Sequence, residues 1–333
     1  MSRSNLAVQR QLLNYLADGS FYSGQWLADT IGLSRTAIAR YIVQLQEAGL
    51  DVFKVKGRGY RLAKPIFLLD GAEIRSYQAT AAEPVLVQHI TDSTNTQLLN
   101  RIAEGQALHN GFTLVAEAQT AGRGRRGRKW YSPYGANLYF SMYWRLEQGI
   151  QAAMGLSLVV GIALVRLLRN DYQLAAKVKW PNDVYINNKK VAGILVELAG
   201  QAHAGCDVII GIGLNIQMPE AGRDNIDQQW TDLSSETDTA INRNKLIARL
   251  QEQLILLLTE FTRKGFSPFT EEFNQINQYG GQLVNLCGTQ NVSGVFTGVD
   301  NQGGIILDTK TGRQTFYGGE LSLRPGAENV STD

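Results

Sequence analysis

Residues 122–130 carry the strongest chemical signal in the chain. They read Gly-Arg-Gly-Arg-Arg-Gly-Arg-Lys-Trp, which places five cations and three glycines in one stretch without an acid. Glycine lets backbone N–H groups approach a ligand closely, and arginine recognises carboxylate or phosphate oxygens through two parallel hydrogen bonds. The stretch is therefore a candidate anion-binding loop that orders around its ligand. A solvated basic surface or a nucleic-acid contact is the competing interpretation.

A β-hairpin is predicted downstream of this loop. One apolar run ends with Lys-Trp-Pro-Asn-Asp at 179–183, and another starts with Lys-Val-Ala-Gly-Ile-Leu-Val-Glu at 190–197. Ile-Asn-Asn-Lys at 186–189 is typical of the turn between them. The hairpin would carry the Asp183 carboxylate and the Lys190 ammonium near one end. Taken alone, Lys190 is better explained as a solvated hairpin lysine.

Polar residues also precede the loop. Asp-Ser-Thr-Asn at 92–95 opens a helical pattern, and Glu-Ala-Gln-Thr-Ala-Gly at 117–122 leads from a strand into the loop. In isolation the Ser93-Thr94-Asn95 run favours a helix N-cap.

Composition limits the class of protein. The chain has 333 residues, of which 44% are hydrophobic and 19% charged, so we expect two or three folded domains. Its two cysteines, Cys206 and Cys287, have neither metal-site nor disulfide-framework spacing, which fits a reducing cytoplasm. Residues 1–10 lack the apolar core of a signal peptide. The uncharged stretch 148–165 is predicted to be a buried core helix rather than a membrane span.

The N-terminal 64 residues are basic. They contain nine Lys or Arg against four acids, although the whole chain has a net charge of only +2. Three amphipathic helices are expected here, the second capped by Ser23 with Trp26, Leu27 and Ile31 inside, and the third capped by Ser34. A hairpin with a cationic tip at 56–59 follows. The pattern predicts a winged helix-turn-helix, and nucleic acid is the expected partner. The candidate DNA-binding residues are Ser34, Arg35, Thr36, Ala39, Arg40, Lys56 and Arg58.

The rest of the chain is expected to form an α+β unit and a small β-barrel. Apolar strands alternate with helices from about 84 to 270, which predicts a mixed sheet with helices on one side. Short strands separated by turns follow from about 281. No Walker motif occurs, and Gly211-x-Gly213 lies within a strand, so neither P-loop nor dinucleotide chemistry is supported. The predicted domains are 1–64, 65–275 and 276–333.

The order and spacing of these motifs resemble the bifunctional biotin protein ligases and biotin-operon repressors of the BirA type. The resemblance runs from about residue 10 to about residue 325. It is carried by 122–130, Lys-Trp-Pro-Asn-Asp, 190–197 and Gly318-Gly319-Glu320. It implies a winged helix-turn-helix, a catalytic domain similar to class II synthetases and an SH3-like C-terminal barrel. Ala118 and Thr120, beside Gln119, depart mildly from the family pattern.

The resemblance also implies roles for individual residues. Biotin would be bound by Ser93, Thr94, Asn95, Gln119, Arg123, Gly124, Arg125 and Lys190. ATP and the adenylate would be bound by Arg126, Arg128, Lys129, Trp130, Asn182, Asn215 and Trp230. The implied catalytic residues are Lys190, Arg125 and Asp183.

The implied reaction is formation of biotinyl-5'-AMP from biotin and ATP with Mg²⁺, followed by biotin transfer to a lysine of a biotin carboxyl carrier protein. The implied partners also include operator DNA and a second copy of the chain in an adenylate-bound homodimer, but no membrane. Two alternatives stay open at this point. A lipoate-type ligase would share the adenylating body, and a ligand-sensing repressor would lack catalysis.

Overall fold

The computed structural model describes residues 3–80, 82–200, 205–219, 226, 228–288, 291–318 and 321–326. Gly319 and Glu320, which are part of the C-terminal motif, lie outside the described residues.

The N-terminal unit is a winged helix-turn-helix, as predicted. It comprises α1 (Arg3–Leu16), α2 (Gly24–Ile31), α3 (Arg35–Glu47), β1 (Val52–Val55) and β2 (Gly59–Leu62). The Ser23 and Ser34 side chains accept hydrogen bonds from the Trp26 and Ala37 backbone N–H groups, so both caps are confirmed. The inward placement of Trp26 was wrong, because 43% of its surface is exposed. Its indole packs edge-on against Tyr15 instead.

A seven-stranded mixed sheet forms the central unit. Its strands, in chain order, are β3 (Val85–Thr91), β4 (Thr113–Gln119), β5 (Asn137–Leu146), β6 (Lys177–Lys179), β7 (Asp183–Ile186), β8 (Lys189–Gly200) and β9 (Cys206–Asn215). They lie in the order β3-β4-β5-β9-β8-β7-β6. Only the β3–β4 pair is parallel among the pairs described. The helices are α4 (Gly71–Tyr77), α5 (Thr94–Ala103), α6 (Leu156–Tyr172), α7 (Leu233–Glu236) and α8 (Arg243–Lys264).

Helices cover both faces of this sheet. The buried sides of α6 and α8 share one core with Val115 and Ile210, whereas Leu98 of α5 packs with Leu114 and Ile209. Successive strand residues point to opposite faces, so α5 lies on the other side. The expectation of helices on one side only was therefore wrong.

The segment Ile150–Tyr172 is long and apolar enough to span a membrane by length and composition alone, but 56% of its apolar 18-residue stretch is buried in the protein. Helix α6 forms most of this segment, and its leucines and valines pack in the main core. The prediction of a core helix is confirmed.

The C-terminal unit begins after α9 (Thr270–Ile276). Its strands are β10 (Leu283–Cys287), β11 (Val292–Val299), β12 (Ile305–Thr309), β13 (Gly312–Phe316) and β14 (Ser322–Pro325). They form an antiparallel sheet in the order β13-β12-β11-β10-β14. Its inner residues join the central core, and the buried Trp180 indole donates a 3.0 Å hydrogen bond to the Gly303 carbonyl. The β unit thus packs directly beside the predicted hairpin.

The N-terminal unit rests on the segment that follows the basic loop. The Tyr134 backbone N–H donates a 3.0 Å hydrogen bond to the Ala48 carbonyl at the end of α3. Gly49 adopts φ +93°, and a Cβ there would lie 2.7 Å from Pro133 Cβ, so glycine permits this close approach. Tyr134 also joins the hydrophobic core of the N-terminal unit.

Candidate functional site

The Lys190–Asp183 pair sits on the predicted hairpin. Asn187 and Asn188 both have positive φ, as a two-residue hairpin turn requires. A bulge between β7 and β8 pairs Tyr185 with Lys190 and Val184 with Ala192, leaving Val191 as the extra residue. Lys190 thereby lies on the same face as Asp183, and its Nζ lies 2.8 Å from Asp183 Oδ1. The two side chains are only 11% and 16% exposed, so the solvated-lysine interpretation is wrong.

The basic loop closes on itself as a short hairpin. The Trp130 N–H donates to the Gly122 carbonyl at 2.9 Å, and the Gly124 N–H donates to the Arg128 carbonyl at 2.7 Å. A Cβ at Gly122 would lie 2.6 Å from both Ser132 Oγ and the Trp130 carbonyl oxygen. Glycine is therefore required where the loop leaves β4.

Two arginines of the loop point to different partners. Arg125 Nη1 donates to Asn182 Oδ1 at 2.9 Å, which links the loop to the hairpin. Burial lowers the Arg125 pKa, and the nearby Asp183 carboxylate opposes that shift. Arg123 Nη2 instead forms a 2.9 Å ion pair with Glu197 on β8.

A hydrogen-bonded polar group lies beside the loop. Gln119 Oε1 accepts from the Thr94 N–H at 2.9 Å and from Thr94 Oγ1 at 3.2 Å, and Gln119 Nε2 donates to Ser132 Oγ at 3.0 Å. Ser93 occupies the N-cap position of α5, as the sequence favours, but its side chain makes no cap hydrogen bond. Ser93 and Thr94 are nevertheless buried, at 3% and 4% exposed.

Trp130 forms the floor of the site. Its indole lies against Gly193 and Gly213, which face each other on β8 and β9, and a Cβ at either position would meet the ring. Lys190 Nζ lies 5.4 Å from the ring centroid, within cation–π range. The indole N–H is buried and has no hydrogen-bond acceptor among the described residues.

Asn215 and Trp230 lie at the end of β9. Asn215 Nδ2 donates to the Thr231 carbonyl at 3.1 Å, and the Lys190 N–H donates to the Gln229 carbonyl at 3.1 Å. Asn215 and Lys190 therefore hold the backbone that presents the half-exposed Trp230.

All the sequence-predicted catalytic, biotin and nucleotide residues line one cavity of about 800 Å³. Ser132, Ser141 and Glu197 contact these residues, and Lys179 and Arg324 line the cavity, but the sequence analysis assigned no role to any of the five. Burial lowers the pKa of Lys179. Lys179 and Glu197 lie within the motifs 179–183 and 190–197, whereas Ser132, Ser141 and Arg324 carry no local signal. The positive lining suits a polyphosphate.

Mg²⁺ fits this site only as part of a nucleotide complex. Within the described ranges, no three His, Cys, Asp or Glu side chains cluster as a metal site. Of the described lining residues, Asp183 alone carries a carboxylate, and Lys190 is paired with it. Mg²⁺ commonly keeps several waters and takes phosphate oxygens with one or two carboxylates. The Asp183 carboxylate and the side-chain carbonyl oxygen of Asn182 are the groups suited to such an ion.

The predicted DNA-binding residues lie on one end of the N-terminal unit. Ser34, Arg35, Thr36 and Arg40 are exposed at the start and outer face of α3, and Ala39 is half-buried between them. Lys56 and Arg58 are exposed at the tip of the β1–β2 hairpin. The Arg58 guanidinium stacks 4.9 Å from the centroid of the Phe21 ring. Helix and wing thus present their cations to solvent, as a DNA-binding surface requires.

Comparison with known proteins agrees with this geometry. Residues 87–215 match the biotin/lipoate A/B protein ligase family, residues 8–61 match a helix-turn-helix domain, and residues 279–324 match the biotin protein ligase C-terminal domain. Fold and site thus define a protein ligase of the biotin/lipoate class with an added helix-turn-helix domain.

Relatives that match over nearly their whole length identify the family within this class. The chain is 44% identical to the bifunctional ligase/repressor BirA of Salmonella typhimurium, over 95% of this chain and 98% of that protein. It is 42% identical to the Escherichia coli protein of the same name, over 95% and 97%. The chain therefore belongs to the BirA family of bifunctional ligase/repressors. The biotin protein ligase of Aquifex aeolicus, solved with biotin and ATP, superposes with a TM-score of 0.64 at 30% identity and covers 73% of this chain and 99% of that one.

Proposed function

We propose that this chain activates biotin with ATP, transfers it to a lysine of a biotin carboxyl carrier protein, and represses the biotin biosynthetic operon when it holds biotinyl-5'-AMP. The observation that carries the proposal is the single cavity that contains the Lys190–Asp183 pair, the basic loop and the Thr94–Gln119 group. These features provide a cationic reaction centre beside a polar recognition group.

In the first step, a biotin carboxylate oxygen bonds to the α-phosphorus of ATP, and the bond to the β-phosphate oxygen breaks to release pyrophosphate. Two anions must approach each other, so the site has to neutralise the charge that develops. Lys190 is placed for this, because Asp183 fixes its ammonium within the cavity. Arg125, held by Asn182, supplies a second charge. Mg²⁺ with ATP would neutralise the leaving pyrophosphate.

In the second step, the acceptor lysine amine attacks the biotinyl carbonyl. A C–N bond forms, the bond from carbon to the phosphate oxygen breaks, and AMP leaves as the amine loses a proton. We assign Asp183 to orienting the acceptor amine as well as Lys190. The closed hairpin of 122–130 shields the mixed anhydride from water.

The repressor function rests on the exposed α3 and wing. We propose that two copies pair when the adenylate is bound, because a two-fold dimer would present two recognition helices to an inverted-repeat operator. DNA as a partner places the protein in the compartment that contains the chromosome, which is the cytoplasm in a bacterium.

Pyrophosphate release with biotin and ATP tests the ligase function, and subsequent transfer to a purified carrier domain tests the second step. Lipoate or octanoate in place of biotin is the comparison substrate. Pyrophosphate release with lipoate but not biotin would favour a lipoate-type ligase. Binding of biotin without any pyrophosphate release would favour a sensor that lacks catalysis.

A further inference from the structure

Val43 is an apolar residue on the outer face of α3, and 50% of its surface is exposed. It follows Thr36 by seven positions, Ala39 by four and Arg40 by three. Side chains at these spacings share one face of a helix. Val43 therefore extends the face of the candidate DNA-binding residues by a further turn.

The two glutamines in this half of α3 are engaged by neighbouring elements. Gln44 Oε1 accepts a 2.9 Å hydrogen bond from Gln9 Nε2 of α1, and Gln46 Nε2 donates a 2.9 Å hydrogen bond to the Val52 carbonyl at the start of β1. Glutamine is a side chain that can pair with adenine through two hydrogen bonds. Because both amides serve the N-terminal unit itself, the outer face at this turn is represented by Val43.

Valine brings no structural benefit at this position. A β-branched side chain loses χ1 freedom against the preceding turn, so valine is a weaker helix former than alanine. With half of its surface exposed, little burial offsets this loss. Single exposed apolar residues are common on protein surfaces, so the surroundings of Val43 decide its interpretation.

The surroundings of Val43 are cationic. Four exposed cations lie on α3 and on the adjacent wing, namely Arg35, Arg40, Lys56 and Arg58. Glu47 is the one acid of α3 and is its last residue. Phosphates line both sides of the major groove, so an apolar strip flanked by cations matches the groove in charge as well as in shape.

We propose that Val43 reads the C5-methyl group of a thymine in the operator. Thymine presents this methyl group in the major groove, where apolar side chains contact it. Homeodomain recognition helices read base edges at the spacing i, i+3, i+4 and i+7, which is the spacing of Thr36, Ala39, Arg40 and Val43. A rise of about 1.5 Å per residue places Val43 about 10 Å beyond Thr36, or about three base-pair steps. The inference rests on the proposed repressor function.

The experiment replaces thymine by deoxyuridine, which pairs identically but lacks the methyl group. An operator is first selected from random duplexes with the protein in biotin and ATP, and each thymine is then replaced in both half-sites. At one or two positions we expect wild type to lose affinity by about fourfold per half-site, the ratio that corresponds to one buried methyl group.

Val43→Ala should bind the thymine operator more weakly by a similar factor, and it should lose the difference between thymine and uracil at those positions. The slope of log affinity against log salt should stay unchanged, because no phosphate contact is removed. The melting temperature of Val43→Ala should be equal to that of wild type or slightly higher, since alanine is the better helix former.

Val295→Ala is the matched control. Val295 is an exposed valine on β11 of the C-terminal unit, with 38% of its surface exposed. This variant should keep the wild-type affinity and the wild-type response to uracil at every position.

The proposal is wrong if wild type shows no loss with uracil, or if every such loss persists in Val43→Ala. Weaker dimerisation of Val43→Ala by sedimentation in biotin and ATP would place Val43 in a protein contact instead. If biotin and ATP do not change the affinity for DNA, ligand-controlled repression fails, whereas the comparison of thymine with uracil still decides the role of Val43. A selection that recovers no preferred sequence would contradict both.

Discussion

The indole of Trp130 occupies the space that a side chain at Gly213 would need. Gly213 lies opposite Gly193 on adjacent antiparallel strands, so the sheet has a flat strip without side chains at this point. The ring lies on that strip, and Lys190 reaches over it. Two glycines therefore set the depth of the cavity and the position of its principal ammonium group.

Gly213→Ala should displace Trp130 and lower the efficiency of adenylation by about one to two orders of magnitude. Small displacements of the groups that position the reactants slow a reaction strongly. The free energy of unfolding should fall by about 1–3 kcal/mol from overpacking. Pyrophosphate release and urea unfolding measure the two effects. Gly71→Ala is the control, since its Cβ meets nothing closer than 3.9 Å. Full activity in Gly213→Ala would show that Trp130 does not form the working floor.

Lys190→Ala should slow adenylation by about two to three orders of magnitude, the loss expected when one electrostatic donor to the transition state is removed. It should also destabilise the protein, because the Asp183 side chain is only 16% exposed and its carboxylate loses its ion-pair partner. Lys190→Ala combined with Asp183→Asn should regain thermal stability without regaining activity. Lys189→Ala is the control, because Lys189 is the adjacent lysine and is exposed. Near-normal pyrophosphate release by Lys190→Ala would remove Lys190 from the reaction centre.

Arg58→Ala should weaken operator binding through a lost phosphate contact. We expect the slope of log affinity against log salt to fall by about one unit, with the preference for the operator sequence unchanged. Gel-shift titrations at several salt concentrations, with biotin and ATP present, measure both quantities. Lys310→Ala removes an exposed cation from the C-terminal unit and should leave the slope unaltered. A change in sequence preference would instead indicate that Arg58 reads base edges.

His89 should make the contact with the N-terminal unit sensitive to acid. Arg10 Nη1 lies 3.0 Å from His89 Nε2, and an arginine can only donate, so Nε2 must be unprotonated and Nδ1 carries the hydrogen toward the Tyr134 hydroxyl 2.9 Å away. Burial first, and the Arg10 charge second, lower the pKa of His89 below its ordinary value of 6.5, while Glu117 opposes the shift.

The unfolded chain therefore binds this proton more readily than the folded protein does. Stability contributed by neutral His89 should be complete above pH 6.5 and should decline as the pH falls from that value toward the lower folded pKa. Thermal unfolding between about pH 5 and 8 measures this decline, and His89→Gln should flatten it. The same slope in His89→Gln as in wild type would contradict the assignment. The exposed His109, substituted by Gln, is the control.

Local signals predicted much of the fold. The Asn-Asn turn, the Ser23 and Ser34 caps and the apolar periodicity of α3 all act over a few residues, and each appears in the structure at the predicted place. Strand β3 and helix α4 were not predicted. Four of the seven α4 residues are polar or glycine, and its one buried residue, Ile74, gives no periodic signal.

The sequence likewise predicted one part of the candidate site and not another. The motifs identified many of the residues that line the cavity, since these come from short stretches that share a chemical character. They did not predict that Glu197 would bind both Asn95 and Arg123, because that contact depends on how β8 lies beside α5 and the loop. The bulge that turns Lys190 toward Asp183 is likewise a property of the paired strands, not of either strand alone.

The close contact between Gly49 and Pro133 restricts how the domains of such a protein can be exchanged between relatives. Residues 131–134 connect directly to the loop that walls the cavity, and they also support the end of α3. A hybrid that takes its helix-turn-helix from one relative and its catalytic body from another would join mismatched surfaces here. Domain exchange within this family should therefore succeed only when residues 48–49 and 131–134 are transplanted as a set, and the two halves of the protein are expected to diversify together at this point.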